Sequence, residues 1–247
     1  MSIDLNADLG EGAPSDGALL EVITSANIAC GGHAGDEETM RTAVRAAQRR
    51  GVGIGAHPSF PDREGFGRHV VDLPRQALVA SLAGQIGVLR RIARGEGAAL
   101  AHVKAHGALY NVAVDDRGTA QAIGEAVRSV DPDLLVVALA GSPMVDAFRA
   151  MGLSVVEEAF VDRGYTPEGR LVPRSHSGAL VTDPQKAAAR AVRMVREGVV
   201  TAVDGTELRV RPRTLCIHAD TPGSPGIAAA ARAALEAAGI GLARMAR

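Results

Sequence analysis

The stretch Asn27-Ile28-Ala29-Cys30-Gly31-Gly32-His33-Ala34-Gly35-Asp36 shows how the chain is built. A short apolar run ends in a glycine-rich turn, the turn presents His33, and Asp36 opens an amphipathic sequence typical of a helix. This is a strand, loop and helix unit with a reactive side chain on its loop. Nearly every other polar cluster falls at the same point of a similar unit, which predicts one shared site.

Length and composition narrow the class of protein. The chain has 247 residues, 47% of them hydrophobic, which suits a single (β/α)-barrel domain over residues 1–247. No apolar run reaches the roughly 18 residues of a membrane span, and the N-terminus does not resemble an export signal. The two cysteines favour reduced thiols, so we expect a cytoplasmic protein without a membrane partner. With 27 basic against 28 acidic residues and no basic block, nucleic acid is a poor candidate partner.

Seven strands alternate with helices in the predicted order. The predicted strands are 3–9, 26–30, 52–57, 100–106, 134–140, 153–160 and 214–219; the predicted helices lie at about 15–23, 36–51, 74–95, 118–130, 142–151, 183–198 and 224–239. A β-hairpin is expected at 199–210 around its Asp-Gly turn. The long charged loop 58–68 is a candidate lid.

The pattern of these strands favours a closed barrel over a doubly wound open sheet. The central strands of an open sheet are apolar on both faces, and here only 134–140 has that character. The first, third, fourth and last strands each place polar or glycine residues on one face. An α/β fold that closes into a (β/α) barrel with a polar lumen accounts for this, and its loops gather the site at the strand ends.

Histidines, acids and bases recur at the predicted strand ends. The set comprises Asp8, Glu11, His33, Asp36, His57, Asp62, Lys104, His106, Asp162, Arg163, His176, His218 and Asp220. A single such histidine is more often structural, but five of the seven histidines lie at or beyond a strand end, which favours function for the set. Some members also have structural interpretations. Lys104 could have the purely structural role of pairing with Asp8 or Glu11 inside the lumen. Asp36 could cap a helix, and Asp62-Arg63 could be a local ion pair in its loop.

Two kinds of chemistry suit such a pocket: a divalent metal that activates water, or metal-free general acid–base hydrolysis. The residues leave the presence of a metal unknown. No Gly-x-Ser-x-Gly elbow indicates a covalent nucleophile, and no loop ends in the GK[ST] of a phosphate-binding loop. ATP chemistry would therefore require another subunit or an unfamiliar site.

Several segments resemble the LamB/YcsF family, in order and along the whole chain. They are 4–11 (DLNADLGE), 25–31 (SANIACG), 33–36 (HAGD), 55–63 (GAHPSFPDR), 102–104 (HVK), 106–107 (HG) with 109–110 (LY), 162–165 (DRGY) and 171–175 (LVPRS). Two positions depart from the family pattern. Ala105 stands where proline is common, and Gly32 stands where a bulkier residue is often found. Neither departure removes a reactive group.

The resemblance implies an ATP-dependent 5-oxoprolinase activity, in which the lactam of 5-oxo-L-proline opens to L-glutamate. It implies ATP as co-substrate, with Mg²⁺ possible beside it, and two partner subunits of the KipI/KipA-like type. It also implies a distorted (β/α) barrel of the glycoside hydrolase/deacetylase kind.

Within that reaction we assign roles to the pocket residues. Asp8 or Glu11 is the candidate general base, His33 and His106 move protons or orient water, and Lys104 holds a carboxylate or a developing oxyanion. The candidate substrate-binding residues are Asn6, His57, Asp62, Arg63, Arg174 and His218. Two alternatives stay open: an ATP-independent, metal-dependent deacetylase or amidohydrolase, and a non-catalytic lactam-binding subunit.

Overall fold

Short strands alternate with helices around a closed parallel barrel in the computed structural model, which describes residues 1–246. The strands are β1 (Ser2–Leu9), β2 (Ser25–Ala29), β3 (Gly53–His57), β4 (His102–Val103), β5 (Leu135–Leu139), β6 (Val155–Phe160), β7 (Val199–Thr201), β8 (Glu207–Arg209), β9 (Thr214–Ile217) and β10 (Gly241–Leu242). Hydrogen bonding runs β1-β2-β3-β4-β5-β6-β9, and β9 pairs back onto β1. The predicted α/β barrel of seven parallel strands is therefore confirmed.

Within the described residues, eight helices connect these strands. They are α1 (Asp16–Leu20), α2 (Glu37–Arg49), α3 (Arg75–Gly95), α4 (Gly107–Asp115), α5 (Arg117–Val130), α6 (Pro143–Ala150), α7 (Pro184–Arg196) and α8 (Ser224–Ala237). Helix α2 shows why they form, since its buried side chains recur on one face and the Asp36 carboxylate accepts the Thr39 N–H at 2.8 Å. The capping role considered for Asp36 is thus observed. Within residues 1–246, no helix has the length and apolarity needed to cross a membrane.

Three local features differ from the sequence-based expectation. The fourth strand was expected at 100–106, but only His102 and Val103 pair on both sides. The chain still runs extended beside β3, because the His106 N–H donates to Pro58 O at 2.9 Å. Residues 107–115, for which no helix was predicted, form α4, and the short strand β10 pairs with the start of β1. Each depends on contacts between segments distant in sequence, which local periodicity does not report.

Met245 closes the amino-terminal end of the barrel lumen. Met245 packs in one apolar cluster with Leu135, Val137 and Val156. Its backbone N–H lies 3.4 Å from the Ser25 hydroxyl oxygen, at the start of β2. The amino-terminal end of the lumen is therefore filled, and the polar residues above it open toward the carboxyl ends of the strands.

Candidate functional site

Lys104 lies inside the lumen at the centre of a buried ion network. Its Nζ donates to Asp8 Oδ1 at 3.1 Å and pairs with Glu158 Oε1 at 2.9 Å. Cys216 Sγ lies 3.0 Å from Nζ, and Asn6 Oδ1 lies 3.4 Å away. Burial alone would lower the pKa of this ammonium, but the charge of Asp8 leads the interactions that raise it well above its usual value. Lys104 is therefore a charged group already surrounded by protein acceptors.

Glu158, which the sequence interpretation missed, is the second anion of this network. Tyr110 donates its hydroxyl to Glu158 Oε2 at 3.0 Å, and Asn6 Nδ2 donates to Oε1 at 3.0 Å. The preceding acid, Glu157, points outward and pairs with Arg149 at 2.8 Å. An acid at an inward position of an otherwise apolar strand was the available signal. Asn6 thus lies deep in the lumen as a structural connector.

Gly55 makes room for the ring of His102 on the neighbouring strand. A Cβ at Gly55 would lie 2.1 to 2.4 Å from three atoms of that ring. The His102 Nε2 faces Asn27 Oδ1 at 2.8 Å, and Asn27 Nδ2 donates to Asp8 Oδ1 at 2.8 Å. Burial is the main reason that the pKa of His102 falls to about 3, so this histidine is a neutral lumen residue.

A cluster of three histidines and one carboxylate forms at the upper end of the lumen. His33 Nε2 lies 2.8 Å from Glu11 Oε1, and His106 Nδ1 lies 3.3 Å from the same oxygen. His57 Nε2 is 3.0 Å from His106 Nδ1 and 3.7 Å from Glu11 Oε1. One donor atom from each of the four residues lies within 4.8 Å of the others. The structure therefore brings together four site residues drawn from four separate segments of the chain.

Backbone carbonyls fix the protons on two of these rings. His57 Nδ1 lies 2.7 Å from Lys104 O, and His106 Nε2 lies 2.9 Å from Phe66 O. A carbonyl only accepts, so each of these nitrogens carries a hydrogen. In the neutral rings, the lone pairs of His57 Nε2 and His106 Nδ1 then face one another beside Glu11. Such an arrangement requires a positive species, either a shared proton or a metal cation.

The charges of the site favour ionised carboxylates. Burial raises the pKa of Glu11, but the interactions of its carboxylate with the His106 and His33 rings outweigh burial and hold the pKa well below its usual value. Burial likewise raises the pKa of Asp8, but the charge of His57 leads the interactions that lower it further. Burial reduces the pKa of His33 to about 4, which leaves that ring neutral at pH 7. Asp8 and Glu11 are thus both available as anions.

The loop predicted as a lid covers this cluster. The Phe66 ring lies edge-on to the rings of His33 and His106 at centroid distances of 5.4 Å. Phe66 has φ 56°, a backbone region that non-glycine residues seldom adopt, and hydrogen bonds of the residues before it hold the loop. The Asp62 carboxylate accepts the Gly65 N–H at 2.9 Å, and Arg63 donates to the Gly31 and Gly35 carbonyls. Lid motion stays a prediction.

His218, which follows β9, forms a dyad with Asp162, which follows β6. His218 Nδ1 lies 3.1 Å from both Asp162 oxygens, and Thr221 donates its hydroxyl to Oδ2 at 2.6 Å. The His218 ring stacks on Phe160 with a centroid distance of 5.3 Å. Burial raises the pKa of Asp162, but the charge of His218 leads the interactions that bring it down to about 2. The Asp162 carboxylate therefore stays ionised and orients the His218 ring.

A cavity of about 420 Å³ joins these groups at the carboxyl end of the barrel. Its polar lining includes Asp8, Glu11, His57, Lys104, His106, Tyr110, Asn111, Asp115, Arg163, His218 and Asp220, together with Arg68, Arg170 and Arg174. One oxygen of Asp8 and one ring nitrogen of His218 approach within 4.8 Å of each other. Arg68 and Arg174 both pair with Asp220, and Arg170 pairs with Asp115, so the rim carries excess positive charge.

Not all predicted site residues reach this cavity. Glu11, His57, His106, Arg174 and His218 line it, as do Asp8 and Lys104. His33 lies behind them, in contact with Glu11. Asp62 and Arg63 are absent from the lining and hold the loop, and their predicted local ion pair is replaced by bonds to backbone groups.

Gly32, one of the two departures from the family pattern, is explained by its neighbours. A Cβ at this position would lie 2.4 Å from both the Gln85 Oε1 and the Ser59 Oγ. Gln85 donates to Ser59 O at 2.9 Å and accepts from Ser59 N at 3.0 Å. In this chain the glutamine therefore fills the space beside the loop, and glycine leaves room for it. Ala105 is buried and lines the cavity.

Comparison with known proteins places the chain. A model of the LamB/YcsF family matches residues 3–247. The crystal structure of a lactam utilization protein from Thermus thermophilus is 46% identical with a TM-score of 0.93, over 99% of this chain and 100% of that one. T48 deacetylase with substrate has a TM-score of 0.52 at 14% identity over 98% and 87% of the two chains. Dispersin B has 0.51 at 10% over 96% and 97%. The last two show fold alone, and they confirm the expected glycoside hydrolase/deacetylase kind of barrel.

Proposed function

Because the chain belongs to the LamB/YcsF family, we propose that it is the hydrolytic subunit of an ATP-dependent 5-oxoprolinase. The complex would convert 5-oxo-L-proline to L-glutamate while ATP becomes ADP and phosphate. The lactam utilization protein of Thermus thermophilus, at 46% identity, supports a lactam as the substrate. The observation that carries the proposal is the approach of Asp8 and His218 within 4.8 Å of each other in one cavity.

These two residues supply the two proton transfers that amide hydrolysis needs. Asp8, kept ionised beside His57 and Lys104, takes a proton from water as the oxygen attacks the lactam carbonyl carbon. The carbon–nitrogen bond then breaks, and His218 donates a proton to the departing nitrogen. Asp162 lies beside Nδ1 of His218 and orients the ring, which leaves Nε2 for this transfer. The product carries a new carboxylate and a free amine.

Arginines at the cavity rim are suited to the substrate carboxylate. Arg163 is 5% exposed, and its guanidinium is fixed by bonds from Nε to Ala179 O at 3.1 Å and from Nη2 to Val172 O at 2.7 Å. Arg174 lies nearby on the same lining, paired with Asp220 at 2.9 Å. A planar guanidinium binds a carboxylate with two parallel hydrogen bonds, so this pair would orient a small acid.

Lys104 has a different role in this proposal from the one its sequence position suggested. Its ammonium already contacts Asp8, Glu158 and Cys216, so binding of a substrate carboxylate would require these contacts to break. We assign it to keeping Asp8 ionised. Glu11, His33 and His106 belong to the histidine cluster at the upper end of the lumen, next to Asp8.

ATP would act through the partner subunits in this scheme. The sequence contains no GK[ST] phosphate-binding loop, so we assign ATP, with its Mg²⁺, to the two KipI/KipA-like subunits. They would transfer the γ-phosphoryl group of ATP to the lactam oxygen and release ADP. The cavity of this chain would then add water to the carbonyl carbon and open the ring, and a second water would release phosphate from the resulting acyl phosphate.

The test is glutamate release by the reconstituted complex, with and without ATP. Asp8→Asn and His218→Gln should each reduce turnover by about 10²- to 10⁴-fold, the usual contribution of a general acid or base. His176→Gln, at an exposed histidine outside the cavity, is the matched control and should retain full turnover. Full activity in both cavity variants, with the fold intact by circular dichroism, would refute the assignment.

A second candidate is an ATP-independent, metal-dependent amidohydrolase, which the cluster of Glu11, His33, His57 and His106 favours. It predicts that the lone chain hydrolyses amides without ATP and that a chelator stops the reaction. A non-catalytic lactam-binding subunit predicts tight 5-oxoproline binding together with activity that survives Asp8→Asn. The same set of assays separates all three functions.

A further inference from the structure

We propose that His57 Nε2, His106 Nδ1 and Glu11 Oε1 form a three-ligand site for a divalent transition metal of the zinc class. These atoms come from the end of β3, the start of α4 and the loop after β1. The site is a property of the cluster itself, and it does not depend on the lactam activity. Its test is therefore metal binding.

The hydrogens on the two histidine rings are placed as in a metal site. A histidine that binds a metal usually donates its other ring N–H to a carbonyl or carboxylate, which fixes the ring and its tautomer. His57 does so to Lys104 O at 2.7 Å, and His106 does so to Phe66 O at 2.9 Å. Both rings are thereby held with their lone pairs facing one another beside Glu11, so that one cation could accept both.

The cluster also has the size of a tetrahedral metal site. With metal–ligand bonds of about 2.0 to 2.2 Å, the ligand atoms of a tetrahedral site lie about 3.3 to 3.6 Å apart. The three distances here are 3.0 Å between His57 Nε2 and His106 Nδ1, 3.3 Å from His106 Nδ1 to Glu11 Oε1, and 3.7 Å from His57 Nε2 to the same oxygen. Their mean is about 3.3 Å, so a cation fits with only small side-chain shifts.

His33 belongs to the outer shell of this site. Its Nδ1 is buried and has no hydrogen-bond partner among residues 1–246. Metal on Nε2 would place an unpaired N–H at Nδ1, which is costly in a buried position. We therefore assign Nε2 as a donor to Glu11 Oε1 at 2.8 Å, with the ring stacked on His106 at 3.6 Å. Hydrogen bonds to a ligating carboxylate are a common outer-shell feature.

The donor types decide the class of metal. Two imidazoles and one carboxylate suit Zn²⁺ or Co²⁺, whereas Mg²⁺ prefers oxygen ligands and retains much of its water. Three protein ligands are the usual set of a catalytic zinc site, in which the fourth position holds water. The metal would lower the pKa of that water. Asp8 Oδ2 lies 3.3 Å from His57 Nε2, next to the proposed site.

The experiment strips the full-length chain with a chelator, dialyses it against Zn²⁺ in the presence of excess Mg²⁺, and measures bound metal by mass spectrometry. We expect about one zinc per chain, and intense visible absorption when Co²⁺ replaces zinc. Glu11→Gln, His57→Ala and His106→Ala should each weaken zinc affinity by more than about 100-fold, since loss of an outer-shell partner alone costs about 10- to 100-fold. Circular dichroism and urea unfolding of each metal-free variant verify that it is folded.

Two controls make the location specific. His176→Ala removes an exposed histidine and should leave zinc binding unchanged. Cys216→Ser tests a second group, Asp8, Cys216 and His218, whose donor atoms also lie within 4.8 Å of one another. The proposal is overturned if the folded wild-type chain retains no zinc, if Mg²⁺ displaces zinc, or if Cys216→Ser abolishes binding while the three ligand variants keep it.

Discussion

Replacement of Glu158 by alanine should destabilise the barrel far more than the same change at the residue before it. Glu158 is fully buried and accepts from Lys104 Nζ, Asn6 Nδ2 and Tyr110 Oη at 2.9, 3.0 and 3.0 Å. Glu157 lies on the opposite face of the strand with a side chain 20% exposed, and its partner is a surface arginine. The two substitutions remove the same atoms from adjacent positions of one strand.

The expected loss of unfolding free energy depends on which hydrogen-bond acceptors remain for each donor once Glu158 is removed. Lys104 keeps Asp8 and Cys216, and Asn6 keeps the Thr214 hydroxyl at 2.6 Å. Tyr110 loses its acceptor, and a buried unsatisfied hydroxyl costs about 1 to 3 kcal/mol. Loss of one charge from the ion network and the space left by the side chain bring the total to about 3 to 5 kcal/mol, the usual cost of breaking a buried pair. A surface pair contributes about 0 to 1 kcal/mol.

Urea unfolding monitored by circular dichroism measures this difference. If the unfolding free energy falls by about 3 kcal/mol per molar urea, the Glu158→Ala midpoint should shift down by roughly 1 M or more. The Glu157→Ala midpoint should shift by less than about 0.3 M, from the surface-pair value. Equal shifts in the two variants would refute the buried network as a source of stability.

Two further predictions concern the lumen. Gly55→Ala should lower the free energy of unfolding by about 3 kcal/mol or more, because its Cβ would overlap the His102 ring, whereas Gly84→Ala in an open helix position should raise it by about 0.5 to 1 kcal/mol. His102→Gln should flatten the loss of stability in acid. The folded pKa of His102 is about 3 against 6.5 in the unfolded chain, so the unfolded state binds the extra proton and stability falls as pH drops below about 6.5, by up to about 1.4 kcal/mol per pH unit. Urea midpoints at several pH values between about 7 and 4 measure this slope, with His176→Gln as the exposed control.

Each of these two predictions has a result that would contradict it. A Gly55→Ala variant as stable as the parent would mean that the His102 ring does not occupy the space above the glycine. An unchanged slope of stability against pH in His102→Gln would mean that this ring is already charged in the folded protein.

The barrel itself was predictable because its signal is local. Helix α2 repeats its apolar residues on one face and begins at a capping residue, and β1 alternates polar and apolar side chains along its length. Both patterns survive in the folded chain. Helix α4 was missed because its inward face, including Tyr110, depends on a lumen acid on another strand. The tail strand β10 was missed because two paired residues carry no periodicity.

The sequence partly predicted which residues belong to the site, but it did not predict which of them contact one another. The phase of the strand–loop–helix unit identified Asp8, His57, Lys104 and His106 as inward or strand-end residues. Their partners depend on which strands are neighbours across the barrel, so Lys104 pairs with Asp8 and an acid on β6. His102 and His106 have the four-residue spacing of a helical metal motif. In an extended segment that spacing separates them by about 13 Å, and only His106 joins the cluster.

Asp8 is the residue at which the two halves of the lumen meet. Its Oδ1 accepts from Asn27 Nδ2 at 2.8 Å and from Lys104 Nζ at 3.1 Å, so this oxygen is committed to the buried network. Its Oδ2 faces His57 Nε2 at 3.3 Å, beside the histidine cluster and the cavity. A carboxylate held on one side by fixed donors cannot rotate away, so its second oxygen stays directed at the site. The buried ion network, although remote from solvent, therefore sets the position of the proposed base.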